Sequence, residues 1–170
     1  MKYSAVISVD PGASGAVVIR QRTGNFISVS TFDDRSTILD VVERVRRSPL
    51  FECGGHAAVI ERVWASPAMG VSSAFAFGGN YESWITGLIC AGVPVFGVTP
   101  QKWQRSICPE ITSTEEQRKR DLRDCAAEMF LLADLPKKTR VTLKNCDALL
   151  ISEYAHRLNL ESNINSLERL

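Results

Sequence analysis

Residues 7–18 read ISVDPGASGAVV, and this stretch decides the fold because two apolar runs meet at a single acidic turn. The first run ends at Asp10, and Pro11, Gly12 and Gly15 follow at once. This composition predicts two strands joined by a tight turn. Asp10 either begins an ordinary Asp-Pro-Gly turn or is a metal ligand at the end of a buried strand, beside glycines that let a phosphate backbone approach.

The rest of the chain extends this start into an α/β pattern. Strands are predicted at 5–10, 15–20 and 26–32, and short turns join them into an antiparallel meander. The later elements are a helix at 36–47, a strand at 56–61, a loop at 65–79, a helix ending at Gly92, a strand at 94–99, and helices at 100–107, 113–133 and 145–158. This order predicts a five-stranded mixed sheet, with parallel crossovers after the meander and helices on both faces.

Length and composition favour one ordinary domain. The chain has 170 residues, 45% of them hydrophobic and 23% charged. We expect residues 1–158 to form a single domain and residues 159–170 to form a polar tail that frays. No apolar run approaches the roughly 18 residues that span a membrane, and the N-terminal stretch is too short for a secretory signal. These features predict a cytoplasmic protein without a membrane partner.

The cysteines and histidines limit the kinds of metal site. Five cysteines is an odd number, and no pair has Cys-x-x-Cys spacing, so we expect reduced thiols rather than a disulfide framework or a zinc site. The two histidines, His56 and His156, have no evident partner and are predicted at the surface. A metal would therefore be held by carboxylates, which favours magnesium or manganese.

Positive charge is concentrated in two stretches, although the net charge is only +1. Residues 117–123 read QRKRDLR, and residues 137–144 read KKTRVTLK. Both lie in the last third of the chain, on either side of the segment that leads to Asp147. They are either a nucleic-acid footprint or a solvated helix face followed by a basic loop.

Three acids are predicted to meet at one edge of the sheet. Asp10 ends the first strand, Glu61 ends the first strand after the crossover, and Asp147 opens the last helix. Strands one and four are expected to be parallel neighbours, so Asp10 and Glu61 would lie side by side. Three carboxylates repel one another unless cations neutralise them, and two ions roughly 3.5–4 Å apart can clamp a reacting phosphodiester. Asp147 has a simpler alternative role, which is to complement the helix dipole.

Five blocks of sequence, in order, resemble the RuvC-type Holliday junction resolvases, especially the compact versions in phages. The blocks are ISVDPGASGAVV, VIERVW, VTPQKWQRSI, KRDLRDCAAEMF and CDALLISEYAHR, and the similarity runs from residue 4 to about residue 157. The resemblance implies a ribonuclease-H-like fold and a homodimer that cuts four-way DNA junctions in the cytoplasm, which would be the host's for a phage protein. It also implies two Mg²⁺ ions per active site, replaceable by Mn²⁺, and 5′-phosphate and 3′-hydroxyl products. Asp10, Glu61 and Asp147 match the catalytic and metal-binding acids.

The chain departs from the bacterial family pattern at Lys144. The family has a further acid at this place, three residues before the last one. Glu153 cannot replace it easily, because it lies about 240° around the helix axis from Asp147. Lys144 therefore marks a weak second ion site, a catalytic ammonium, a phosphate contact or an attenuated enzyme.

Aromatic and basic residues complete the predicted DNA-binding surface. Trp64 sits where the family places an aromatic residue, and it either stacks on an unpaired base or packs in the core. Trp103 is predicted to anchor its short helix in the core. The predicted DNA contacts are Trp64, Lys102, Arg105, Arg118, Lys119, Arg123, Lys137, Lys138 and Arg140.

The sequence thus predicts a structure-selective, metal-dependent endonuclease that acts on branched DNA. One alternative is a ribonuclease-H-like nuclease for flaps or RNA–DNA hybrids. Another is a weakly catalytic junction-binding protein, which the lysine at position 144 motivates. An ATP-binding protein of the actin and sugar-kinase type is disfavoured, because it needs a second domain that 170 residues do not provide.

Overall fold

A computed structural model describes residues 3–32, 36–49, 55–111, 114–130, 135–136, 139–158 and 167–170. The described strands are β1 (Ala5–Asp10), β2 (Ala16–Gln21), β3 (Phe26–Thr31), β4 (His56–Glu61), β5 (Val95–Val98) and β6 (Glu168–Arg169). The described helices are α1 (Ser36–Arg47), α2 (Val71–Cys90), α3 (Pro100–Ile107), α4 (Glu115–Met129) and α5 (Cys146–Leu158).

The strands form one mixed sheet in the order β3-β2-β1-β4-β5-β6. β1, β2 and β3 form the predicted antiparallel meander, and β4 and β5 join β1 as parallel strands. The α/β class and the mixed sheet are therefore confirmed, but the number of strands is six rather than five. The sixth strand, β6, pairs antiparallel with β5 at the edge.

The C-terminal residues are more ordered than their polar composition suggested. Leu167 is buried, and the backbone N–H of Leu170 donates to the carbonyl of Val95 at 3.0 Å. The expected fraying is wrong for residues 167–170, because backbone pairing with the edge of β5 needs no apolar pattern. Most of the remaining tail, residues 159–166, lies outside the described part of the chain.

The sheet divides the core into two layers, so the prediction of helices on both faces is confirmed. Val9 and Ile60 pack with α1 and α2 on one face. Val59 packs with α3, α4 and α5 on the other face. Since successive strand residues point to opposite faces, Asp10 and Glu61 both point to the face that α3, α4 and α5 cover.

Helix α2 begins earlier than predicted. Residues 71–79 were expected in a loop, but they form its first turns. The helix has open space beside Gly78 and Gly79, because an added Cβ would meet no atom of this chain within 4 Å at either position. The small residues and glycines of 71–79 favoured the prediction of a loop, although this segment is part of the helix. No helix in the described residues has the length and apolarity to cross a membrane.

A disulfide joins Cys108, just after α3, to Cys125 in α4, with Cα atoms 6.8 Å apart. The expectation of reduced thiols is therefore wrong for this pair. Sequence spacing could not reveal it, because the two residues meet only through the packing of two helices. Cys90 and Cys146 are free thiols, and Cys53 lies outside the described residues.

The two histidines have different environments. His156 is exposed, as predicted, but His56 is buried at the start of β4. His56 pairs in register with Ala5 of the central strand β1, and this position inside the sheet explains its burial. Burial lowers the pKa of His56, so the neutral imidazole is favoured.

Candidate active site

The parallel pairing of β1 and β4 brings two acids to the same edge of the sheet. Val9 pairs with Ile60, and the next residues are Asp10 and Glu61. Asp10 is only 8% exposed. The carboxyl ends of adjacent parallel strands are where open α/β sheets usually bind ligands.

The turn after β1 holds the Asp10 side chain in place. The backbone N–H of Gly12 donates to Asp10 Oδ1 at 3.1 Å, and the N–H of Gly15 donates to the Gly12 carbonyl at 3.0 Å. A Cβ at Gly15 would overlap the Asp10 carbonyl oxygen, so the turn has no room for a side chain there. Asn80 of α2 fastens the turn from outside by donating to the Pro11 carbonyl at 2.6 Å. The glycines therefore serve the geometry of Asp10 directly.

Helix α5 supplies the third acid. It packs against β1, and Asp147 lies in its first turn with 8% of its surface exposed. The thiol of Cys146 donates to Asp147 Oδ1 at 3.3 Å. Asn145 ties down the preceding loop, because it accepts from the Thr142 N–H at 2.7 Å and donates to the Arg140 carbonyl at 2.9 Å. The helix start is thus held rigidly over the sheet edge.

The charges of Asp10, Glu61 and Asp147 act on one another. Burial and then the Asp147 charge raise the pKa of Asp10 to about 6. Burial and then the charges of Asp10 and Asp147 raise the pKa of Glu61 to about 8. Desolvation and like charge both disfavour ionised carboxylates. Asp10, Glu61 and Asp147 are therefore close enough for their charges to interact, and we call these residues the acid cluster.

Two neighbouring helices place donors on the acid cluster. The Lys119 ammonium, from α4, forms an ion pair with Asp147 Oδ2. Burial lowers the pKa of Lys119, but the charges of Asp147 and Asp10 and the hydrogen bond to Asp147 outweigh it, so the pKa is raised. Trp103, from α3, is fully buried as predicted, and its Nε1–H donates to Glu61 Oε1 at 2.8 Å. Sequence reasoning placed Lys119 on DNA and Trp103 in the core, and it missed both contacts with the acids.

The chemistry of the acid cluster fits a hard divalent cation. Among the described residues, no three His, Cys, Asp or Glu side chains are already arranged to hold a metal ion together. The available donors are carboxylate oxygens, which magnesium and manganese prefer. Burial and the neighbouring carboxylate charges raise the pKa values of Asp10 and Glu61 in spite of the opposing charge of Lys119. A cation that draws these oxygens inward would relieve that repulsion.

Comparison with known proteins was made on both sequence and structure. No protein-family model and no curated protein matches the sequence. The structure, however, superposes on Thermus thermophilus RuvC in complex with a Holliday junction substrate, with a TM-score of 0.65 over 98% of this chain and 99% of that one. This chain has the RuvC fold. The sequence identity in that pair is 14%.

Two further structures are similar to this chain. A second Thermus thermophilus RuvC structure matches with a TM-score of 0.61 and 15% identity, over 98% of this chain and 99% of that one. The yeast mitochondrial Holliday junction resolvase Ydc2 has a TM-score of 0.48 and 14% identity, over 96% of this chain and 81% of that one. At 14–15% identity, the likeness to the two Thermus thermophilus structures shows a shared fold, which agrees with the expected α/β class.

Two charged residues discussed above, Lys144 and Glu153, have different surroundings. Lys144 is exposed, and the cation paired with Asp147 is Lys119 instead. Glu153 points away as predicted, because it accepts from Arg20 at 2.6 Å and from Arg157 at 2.8 Å. The charge next to the acids therefore comes from α4 rather than from the start of α5.

The predicted DNA contacts in the described part of the chain are mostly accessible. Trp64 is 55% exposed, which excludes the core alternative. Arg123 is partly exposed and pairs with Asp124. Lys137 and Lys138 lie outside the described residues. Of the predicted basic contacts, four have exposed side chains: Lys102, Arg105, Arg118 and Arg140.

Proposed function

We propose that this chain is a divalent-metal-dependent endonuclease that resolves Holliday junctions and other branched DNA. The observation that carries the proposal is the meeting of Asp10, Glu61 and Asp147 at the strand ends of a RuvC fold. Buried carboxylates with mutually raised pKa values are typical of catalytic sites. The similar RuvC structure with a bound Holliday junction supports branched DNA as the substrate.

Each side chain of the site has a distinct role in this proposal. Asp10, Glu61 and Asp147 hold Mg²⁺, or Mn²⁺ in its place, with two ions per site. These ions, when bound, neutralise the carboxylates and stabilise charge on the reacting phosphate. Trp103 keeps Glu61 oriented through its 2.8 Å hydrogen bond, and Lys119 balances the charge of Asp147. Hydrolysis leaves 5′-phosphate and 3′-hydroxyl ends.

The glycine turn and the basic helices would receive the DNA. Gly12 and Gly15 leave the approach to Asp10 free of side chains. Trp64 stacks on an unpaired base at the branch point. Lys144, which is exposed just before the start of α5, binds a phosphate. The remaining backbone contacts are Lys102, Arg105, Arg118, Arg123, Lys137, Lys138 and Arg140.

We further propose that the chain acts as a homodimer. Val71 and Phe75, in the first turns of α2, are 87% and 85% exposed. Gly78 and Gly79 of the same helix have no neighbour within 4 Å of an added Cβ. An exposed apolar helix of this kind is a typical interaction surface, and a second copy there would supply the second cut that a four-way junction needs.

A non-cleaving junction-binding protein is the second candidate function. The ion pair between Lys119 and Asp147 favours it, because an ammonium on the acid would compete with a metal ion. Nuclease action on flaps or RNA–DNA hybrids is a further variant of the first candidate, since it would use the same acids.

The deciding experiment is cleavage of a labelled four-way junction with Mg²⁺, run beside linear duplex, flap and RNA–DNA hybrid substrates. We expect symmetric cuts in the junction and little action on the duplex. Asp147→Asn should bind the junction at least as tightly without cutting it, because a negative charge near the phosphates is removed. Tight junction binding without cleavage at any Mg²⁺ or Mn²⁺ concentration would favour the second candidate, and preferred cleavage of the hybrid would reassign the substrate.

A further inference from the structure

The side chain of Arg62, the residue after Glu61, occupies space that is open because residue 97 is a glycine. Its backbone N–H donates to the Val98 carbonyl at 2.7 Å, so its main chain continues along the edge of β5. A Cβ added at Gly97 would lie 2.8 Å from Arg62 Cγ and 2.9 Å from Arg62 Cδ. The stem of Arg62 therefore lies across β5 in space that exists only because residue 97 is a glycine.

The guanidinium of Arg62 ends between two partners. Its Cζ atom lies 5.3 Å from the centroid of the Trp64 ring, and its Nη1 atom forms an ion pair with Glu168. Glu168 belongs to β6 and pairs in register with Gly97. The same short strand that defines the edge of the sheet thus supplies the anion that fixes Arg62.

This arrangement has a physical consequence for Trp64. An exposed tryptophan in a loop samples several rotamers, and binding a ligand must freeze one of them. A guanidinium over one face of the indole is attracted to its π system and favours one orientation. About half of the Trp64 surface is exposed, which leaves part of it accessible to a base. A ring held in place before binding loses less entropy when a base stacks on it.

We propose that Arg62 is a positioning residue that holds Trp64 as a stacking platform for an unpaired nucleotide, with β6 as the anchor. The identity of the ligand rests on the proposed function, but the bracing of the ring does not. The ion pair to Glu168 distinguishes Arg62 from a simple phosphate contact, because a carboxylate already occupies its guanidinium. Gly97 and Glu168 act on the platform only through Arg62.

Tryptophan fluorescence tests the bracing without DNA. The chain has three tryptophans, and Trp84 and Trp103 are fully buried, so aqueous quenchers report on Trp64. We expect Arg62→Gln to increase quenching by neutral acrylamide and to lower quenching by iodide relative to caesium, because a cation leaves the ring. Gly97→Ala and Glu168→Gln should each give the same acrylamide result while keeping the arginine. Arg169→Gln, which changes the neighbour of Glu168 on β6, is the matched control and should behave as wild type.

Quenching in Arg62→Gln that equals wild type would overturn the proposal, because the guanidinium would then not cover the ring. An effect of Arg169→Gln equal to that of Glu168→Gln would also overturn it, because the anchor would then be general charge rather than one ion pair. These outcomes do not involve junction cleavage, so they are independent of the proposed function.

Binding to a short oligothymidine, measured in EDTA, tests the consequence for nucleotides. Trp64→Ala should weaken binding by at least about 5-fold, the loss expected for one stacked base. Arg62→Gln should weaken binding in the wild-type background but cause no further loss in the Trp64→Ala background. If the losses of affinity in the two single variants multiply in the double variant, the platform is overturned and Arg62 is a separate phosphate contact. A wild-type protein that binds junction DNA but no single strand would overturn the platform alone, and binding to neither would overturn the platform and the proposed function together.

Discussion

The ammonium of Lys119 is paired with the carboxylate of Asp147, 28 residues further along the chain. Lys119 also lowers the pKa values of Asp10 and Glu61, against the larger effects of burial and like charge. One lysine from α4 therefore provides positive charge to all three acids. Supplying positive charge to the acids is one of the roles that the sequence left open for Lys144.

Replacing Lys119 by Met should destabilise the metal-free protein and increase its response to Mg²⁺. We expect Tm in EDTA to fall by roughly 2–4 °C, which corresponds to about 1 kcal/mol for a partly exposed pair. Mg²⁺ should then raise Tm more in this variant than in wild type, because no ammonium competes for Asp147. Lys119→Arg keeps the charge and is the control. Equal Mg²⁺ responses in Lys119→Met and wild type would show that lysine and metal do not compete.

The raised pKa values predict that the metal-free protein loses stability as the pH rises. An acid with a raised folded-state pKa binds its proton more tightly when folded, so its stabilising effect is present at low pH. For Glu61 this effect is complete below about 4.5, its usual pKa, and is lost as the pH rises through about 8. Glu61→Gln should flatten the fall in Tm between pH 6 and pH 9. An unchanged pH profile in this variant would mean that Glu61 ionises normally.

A methyl group at Gly15 should disable the site, whereas one at Gly78 should not. Gly15→Ala places its Cβ against the Asp10 carbonyl, so the strand end must shift and cleavage should fall by at least about 100-fold, as for a misplaced catalytic group. Gly78→Ala meets open space inside a helix and should stabilise the monomer by up to about 1 kcal/mol. Urea unfolding and junction cleavage measure the two effects. Full activity in Gly15→Ala would show that the position of Asp10 is not critical.

Removal of the disulfide should lower stability through the unfolded chain. The bridge from Cys108 to Cys125 closes a 17-residue separation, for which the loop-entropy relation gives about 3 kcal/mol. Cys125→Ser should lower the free energy of unfolding by about 2–3 kcal/mol, and dithiothreitol should lower that of wild type by a similar amount. Cys90→Ser removes an exposed free thiol and should change little. Insensitivity of wild type to dithiothreitol would show that the bridge does not contribute.

The exposed basic residues of α4 should set the salt dependence of DNA binding. Each phosphate contact contributes about 0.9 to the slope of log K against log salt concentration. Arg118→Ala and Arg123→Ala should each reduce this slope by about that amount on every DNA form. Arg46→Ala, on α1 across the sheet, is the control. An unchanged slope would mean that this face of α4 does not touch DNA.

The sequence was sufficient where the fold depends on strand period and connection rules. Side chains along a strand point alternately to the two faces of the sheet, so Asp10 and Glu61 share one face. The parallel crossover makes β1 and β4 neighbours. The long apolar stretch of α5 also predicted a buried helix that opens at Asp147. These features need only local pattern and the usual handedness of crossovers.

The features that sequence reasoning missed all depend on how elements meet in space. The placement of Lys119 rather than Lys144 beside Asp147 follows from the packing of α4 on α5. The two-residue strand β6 has no pattern of its own and exists only through the edge of β5. The disulfide likewise requires the end of α3 to lie against α4.

Helix α5 packs on β1 but follows β1 and β4 in the sequence, so translation supplies the third acid of the site last. Asp10 and Glu61 can be aligned as soon as β1 and β4 have been translated and paired, but the third acid lies on α5. A nascent chain, or a product truncated by a nonsense codon before residue 147, therefore contains at most two of the three carboxylates. If the proposed function is correct, premature termination should give a fragment that does not cleave DNA.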